Sequence, residues 1–250
     1  MQCQTCEGPL TDDPIPFFCR MCWHSIRPLQ GPACPRCARP FLSSLASAYS
    51  PTHLCGECRT RAPAFTKAWS GYPYASPLRE AISLLKYERR YGLADSLCRL
   101  LVAALPPALD VDVVLPVPLH PARLRKREFN QSLLLAESVS RRLGVALSYT
   151  NLIRIRDNPA QTSLPRSARL TNLRQAFRIR VPAAVRARRV LVVDDVFTTG
   201  TTLNECAKVL RKAGAEDVYV LTLARVVDPA MLPDSLLPNA AREAVGITGI

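Results

Sequence analysis

Late in the chain, four apolar residues, Val190 to Val193, run straight into two carboxylates, Asp194 and Asp195. Val196 and Phe197 come next, then Thr198, Thr199, Gly200, Thr201 and Thr202. After these, Leu203, Cys206, Ala207 and Leu210 recur at helical spacing. An uninterrupted apolar run suits a central parallel strand. Such a strand places its last residues at its C-terminal end, where open α/β sheets bind ligands. Paired carboxylates there can accept hydrogen bonds from vicinal hydroxyls such as those of a ribose. A turn of threonines opening a helix offers hydroxyls and backbone N–H groups to a phosphate. Gly200 permits a positive φ and a close backbone approach. No lysine comes after the glycine, so a Walker A loop is excluded. A Thr-rich helix cap alone would explain the threonines but not the ordered acid pair before them.

A second set of residues is suited to metal. Four CxxC pairs occur at Cys3/Cys6, Cys19/Cys22, Cys34/Cys37 and Cys55/Cys58. Two such pairs supply four thiolates, the tetrahedral set that Zn²⁺ prefers. Sequential pairing gives one site from Cys3, Cys6, Cys19 and Cys22, and another from Cys34, Cys37, Cys55 and Cys58. A cross-braced pairing, first with third, uses the same ligands. His24 and His53 could each replace a thiolate, but neither is needed. This part of the chain has little apolar content, and metal binding would supply the stability its core lacks. Cys98 and Cys206 stand among leucines on helical faces and read as core residues.

The elements that must hold these groups can be read from periodicity. The chain has 250 residues, is 48% hydrophobic and carries a formal net charge of +13. That length suits one sizeable domain plus a small one, and the charge favours polyanionic or phosphorylated partners. Its apolar runs fall short of the roughly 20 residues that span a bilayer. MQCQTCEGPL has neither the basic nor the apolar region of a signal peptide, so a cytoplasmic location is expected, with cysteines reduced. We expect a metal module over residues 1–62, an α/β domain over 63–227 and a loosely ordered tail over 228–250.

Ser76 is placed to cap a helix with Pro77 at its first position, and Leu78, Ile82 and Leu85 share one face of it. A second helix puts Leu93, Leu97, Leu100 and Leu101 on one face. Asp112 to Val117 reads as a strand, Asn130 to Leu143 as a helix stopped by Gly144, and Val145 to Tyr149 as a further strand. Residues 150–185 are polar and Arg-rich, with a long loop in their first half. Gly214 ends the helix after Gly200, and Val218 to Ala224 is again a strand. Alternating strands and helices imply a parallel sheet covered by helices.

The strand, acid pair, phosphate turn and helix match the signature of the type I phosphoribosyltransferase fold. That resemblance implies 5-phosphoribosyl-1-pyrophosphate (PRPP) as ligand. VPLHPARLRKREFNQ (117–131) and RIRDNPAQTSLPRSARLTNLRQAF (154–177), with the cysteine-rich N-terminus, resemble the ComF family of ComFC and GntX-like proteins from about Cys3 to Arg225. The resemblance implies an α/β fold, with a type I phosphoribosyltransferase-like parallel sheet and an N-terminal double zinc ribbon. It also implies a role in natural competence and the handling of single-stranded DNA, with competence helicase or uptake-machinery proteins as partners.

Carried over residue by residue, Asp194 and Asp195 would hold the ribose hydroxyls and act at the catalytic centre. Thr198, Thr199, Gly200, Thr201 and Thr202 would hold the 5-phosphate. Pro118, Leu119 and His120 would form the pyrophosphate loop, with Mg²⁺ accompanying PRPP. Arg123, Arg127, Asn130 and Gln131 would reach the pyrophosphate or line the cleft. Arg154, Arg156, Gln161, Arg166, Arg169 and Asn172 match an Arg-rich loop that would contact nucleic acid or another anion. Lys86 lies in the region that forms a hood over the site.

Two departures stand out. The family's RGFNQ is Arg127-Glu128-Phe129-Asn130-Gln131 here, so a glycine is lost, and Asn158 stands where a threonine is usual. His120 reads equally as a general base and as a histidine that fixes a turn. Trp69, Tyr72 and Tyr74 read either as base-stacking residues or as a packing seam between domains. Two function classes stay open: a transferase acting on an unidentified base or amine, and a binder of PRPP or of single-stranded DNA phosphates. A glutamine-dependent amidophosphoribosyltransferase is set aside, because the N-terminus carries metal ligands in place of a glutaminase domain.

Overall fold

The computed structural model describes residues 1–41, 43, 50–157 and 175–228. Asn158, Gln161, Arg166, Arg169 and Asn172 of the Arg-rich segment, and the tail beyond Asp228, lie outside the described residues.

Five parallel strands form the main sheet in the order β1-β7-β6-β2-β3. They are β1 (Lys67–Pro73), β2 (Val113–Pro116), β3 (Ala146–Leu147), β6 (Arg189–Phe197) and β7 (Asp217–Arg225). A separate antiparallel pair joins β4 (Leu152–Arg154) to β5 (Phe177–Ile179). Helices α3 (Leu78–Glu88), α4 (Ala94–Ala103) and α6 (Gln131–Leu143) cover one face, and α7 (Thr201–Lys212) covers the other. Short helices α1 (Arg20–His24) and α2 (Gly56–Thr60) belong to the cysteine-rich segment, and α5 (Pro121–Arg127) comes after β2.

Strand alternation divides the core. Val190 and Val192 of β6 pack with Leu203, Cys206, Ala207 and Leu210 of α7. Leu191 and Val193 pack with Leu78, Ile82, Leu97, Leu101 and Leu135 of the opposite layer. Each such leucine or isoleucine, fully withdrawn from water, contributes about 1.5–3 kcal/mol. Cys98 and Cys206 are both buried in these layers, as their positions among leucines predict.

The strand at Lys67–Pro73 has no signal in the sequence, and it changes the reading of its aromatics. Tyr72 is 5% exposed, with its hydroxyl donating to the Leu100 carbonyl at 3.2 Å. Trp69 lies 5.7 Å from Tyr219. These rings are packing residues. Gly71 is needed here, because a Cβ would stand 2.7 Å from that of Ala104. On the outer edge of β1, Leu29 donates its N–H to Gly71 and Ala68 donates to Arg36, so the cysteine-rich segment covers an edge that would otherwise be unpaired.

The Ser76 cap does not form. Helix α3 starts at Leu78, Pro77 precedes it, and no side chain caps it. The long strand expected over Val145–Tyr149 shortens to Ala146–Leu147, because β2 offers it only Val113 and Val114 as partners. Gly144 does end α6, at φ 68°.

Candidate functional site

The sheet reverses its winding between β6 and β2, the place where open parallel sheets leave a crevice. Pairing of β2 with β6 ends at Pro116–Val193, while β6 continues beside β7 to Phe197. Asp194 and Asp195 therefore project past their neighbour on one side.

Asp195 is 5% exposed, and Lys86 Nζ from α3 lies 2.5 Å from its Oδ2. Asp194 Oδ1 accepts from the Ser132 hydroxyl at 2.7 Å and from the Asp195 N–H at 3.0 Å. Burial, together with the adjoining Asp195 carboxylate, pushes Asp194 up to about 7. Burial opposes the charge on Lys86, but Asp195 more than offsets it and holds the ammonium above its ordinary range. The result is two acids of unlike surroundings: Asp195 paired with Lys86, and Asp194 held by Ser132 with its carboxyl raised by burial and by its neighbour. A small apolar gap of about 10 Å³, room for one water, lies beside Asp195 and Lys86, with Gln131, Cys98 and leucines of α3, α4 and α6 in its walls.

Thr198 and Thr199 are exposed, and Gly200 precedes α7 in the left-handed region at φ 74°. A Cβ at Gly200 would stand 2.6 Å from Cζ of Phe197, so that ring forms the floor of the turn. Thr199 and Thr201 hydroxyls lie 2.9 Å apart. The N–H groups of the first turn of α7 have no intrahelical acceptor, which leaves them suited to an anion.

The loop after β2 is built by caps. His120 precedes α5, and its Nδ1 accepts from the Ala122 N–H at 3.3 Å, so the ring fixes a turn. Asp157 pairs with Arg123 Nε at 3.3 Å, joining the start of the Arg-rich segment to this loop. Pro118 and Leu119 lie between β2 and the helix. Asn130 accepts from the Ser132 N–H and donates to the Val117 carbonyl, which holds α6 against β2. Arg127 donates to Gln131 at 2.8 Å and lies over Tyr87. Arg154 lies over Phe177, and Arg156 donates to Gln175. Glu128, at the family's glycine position, adopts φ 69° and pairs with Arg89 at 3.0 Å. Glu128 thus takes a left-handed backbone, which a glycine adopts without strain, with a surface ion pair beside it. Ser132, which donates to Asp194, is the residue of this site that sequence reasoning missed. Its only signal was a small hydroxyl in the first turn of a helix that starts beside the sheet's end.

Both cysteine sets converge in sequential pairing. In each, the four sulfurs lie within 4.8 Å of one another. Cys6 and Cys19 sulfurs are 3.8 Å apart, and those of Cys37 and Cys55 are 3.6 Å apart. Thiolates 2.3 Å from a tetrahedral zinc stand about 3.8 Å from each other, so both sets fit that ion. The Cys19 and Cys55 N–H groups donate to the Cys3 and Cys34 sulfurs, both at 3.4 Å. Burial raises the Cys3 thiol, but the backbone N–H groups of Cys19, Cys6 and Thr5 outweigh it and hold Cys3 at about 6. Among the described residues these are the clusters with metal-ligand geometry. No described helix is long and apolar enough to cross a membrane.

Comparison with known proteins agrees with this architecture. A Double zinc ribbon domain matches residues 1–59, and a Phosphoribosyl transferase domain matches residues 130–236. The DNA utilization protein YhgH of Salmonella typhimurium is 34% identical over 84% of this chain and 91% of its own length. Competence protein F of Haemophilus influenzae is 35% identical over 68% of this chain and 78% of its own. Competence protein ComFC of Streptococcus pneumoniae is 27% identical over 83% and 87%. The chain belongs to the ComF family, with a double zinc ribbon joined to a type I phosphoribosyltransferase-like sheet.

Proposed function

We propose that this protein binds PRPP at the C-terminal end of β6 and serves in the cytoplasmic handling of single-stranded DNA, with two structural zinc ions. One observation carries the reading. The acid pair, the Thr198–Thr202 turn and Lys86 meet at the reversal point of the sheet, with the Pro118–His120 loop beside them. Asp194 and Asp195 would take the ribose hydroxyls, and the Thr198–Thr202 turn would take the 5-phosphate. The Pro118–His120 loop and Arg127 would face the pyrophosphate. Mg²⁺ would enter on the pyrophosphate oxygens rather than in a protein cage. The competence and DNA-utilization relatives, with the +13 charge, support the nucleic-acid role.

A second reading, transfer of the phosphoribosyl group to a base or amine, is favoured by Asp194. A carboxylate near neutrality beside the ribose could take a proton as an acceptor nitrogen attacks C1 and pyrophosphate leaves. Incubation with labelled PRPP and a panel of bases divides the readings: base-dependent pyrophosphate release with label appearing on the base establishes the transferase, and saturable binding without release establishes the binder. Titration of single-stranded DNA at two salt concentrations tests the nucleic-acid role, which an affinity insensitive to salt would contradict.

A further inference from the structure

Arg225, the last residue of β7, is 3% exposed. It donates to the Cys37 carbonyl at 2.7 Å, and its guanidinium lies over the Phe197 ring, 4.3 Å from the centroid. Its Nε is buried without a hydrogen-bond partner. Among the described residues no carboxylate forms an ion pair with it. A guanidinium keeps its charge in a protein, and an uncompensated buried charge costs several kcal/mol. Burial opposes its charge, and Arg39 adds a like charge nearby, while the sulfurs of Cys37, Cys55 and Cys34 favour it. Four thiolates around Zn²⁺ carry a net charge of about −2, which supplies the missing counter-charge.

The Cζ end of the Phe197 ring meets the turn. Its ring fills the space that a Cβ at Gly200 would need, and Phe65 meets it edge-on at 6.3 Å. An unbroken line of contact thus runs from the second cysteine cluster through Arg225 and Phe197 to Gly200. We propose that Arg225 is a positioning residue through which the zinc-loaded second ribbon holds the Thr198–Thr202 turn in its ligand-ready shape. The proposal rests on the reading of that turn as the phosphate site. Among the described residues the first ribbon makes no such contact, so zinc there leaves the turn unaffected.

Three readouts on the full zinc-loaded chain test this: amide hydrogen exchange across residues 197–202, zinc release to a chelator, and PRPP titration with Mg²⁺. In Arg225→Met we expect about tenfold faster exchange in the turn. One of the two zinc ions should leave several-fold faster, and PRPP affinity should fall about tenfold. Arg225→Lys keeps the charge but not the stacked plane. It should release zinc at the wild-type rate while the turn still exchanges faster, and it decides the matter if Arg225→Met does not fold. Exchange and zinc release matching the wild type in these variants would overturn the coupling. Wild-type protein that binds no PRPP would instead overturn the functional reading, and the exchange data would still decide the coupling.

Discussion

The two cysteine modules share a backbone and differ in surroundings. Gln2 bridges Pro9 as Ala33 bridges Pro40, and Cys3 donates to Gly8 as Cys34 donates to Arg39, both at 2.8 Å. Glu7 and Ala38 take the same left-handed corner, at φ 60° and 57°. Yet Cys6 is exposed and Cys19 and Cys22 are only half-buried, whereas all four cysteines of the second module are buried. The second set packs in one cluster with Phe65, Phe197, Val192 and Leu203. The first contributes Phe18 and Trp23 to the layer of α3 and α4, and buries only Cys3 of its four cysteines. The difference teaches that a repeated metal module need not have a repeated role. One copy lends two aromatics to the layer of α3 and α4, while the other pairs with the edge of β1 and completes the core beneath the turn after β6.

The largest effect should separate the modules outright. Apparent zinc binding in such sites is worth about 10–16 kcal/mol, comparable to the whole stability of a domain. Cys37→Ser should abolish cooperative thermal unfolding of the chain, whereas Cys6→Ser should lose one zinc by metal analysis and keep a cooperative transition. Equal damage from both would break the comparison.

Next come substitutions on the two sides. Phe18→Ala, at a fully buried position beside Trp23, should cost about 3–5 kcal/mol in denaturant unfolding without altering PRPP affinity in the folded protein. Gly200→Ala should cost about 1–2 kcal/mol for the left-handed backbone alone, and its contact with Phe197 should weaken PRPP at least tenfold. A Phe18→Ala protein with impaired binding would contradict the division.

A smaller effect isolates Asp194 from the sulfurs. Its folded pKa of about 7 lies above the unfolded value, so the folded state holds more proton in the interval between them. Stability should therefore fall by about 1 kcal/mol from pH 6 to pH 8, while PRPP affinity rises as the carboxylate ionises. Asp194→Asn should flatten both profiles, as tracked by thermal unfolding and titration across that range.

The smallest effect checks that the modules are locally alike. Glu7→Gly and Ala38→Gly should each stabilise by about 1 kcal/mol or less, by similar amounts, since both relieve the same corner. A large inequality in denaturant midpoints would show that the corners differ.

Much of this was legible in the residues. The CxxC spacing announces both clusters, and Val190–Val193 with two acids after them announces the central strand and its carboxylates. Strand β1 was not legible, because Ser70, Gly71 and Pro73 obscure any alternation, and its conformation comes from pairing with β7. The β4–β5 hairpin was hidden by three-residue strands set among arginines. The Ser132–Asp194 bond joins residues 62 apart, a relation that no local pattern encodes. Arg225 falls just past the strand expected over Val218 to Ala224, and only the docked second ribbon makes it a buried cation.

The central claim is that the acid pair at the end of β6 holds the ribose of PRPP. Calorimetric titration of PRPP with Mg²⁺ into the wild type and into the Asp194→Asn/Asp195→Asn double variant tests it most directly, with zinc content matched between the two. The account predicts saturable wild-type binding that the double variant weakens by at least a hundredfold, about 2.7 kcal/mol. Undiminished binding in the double variant would contradict it.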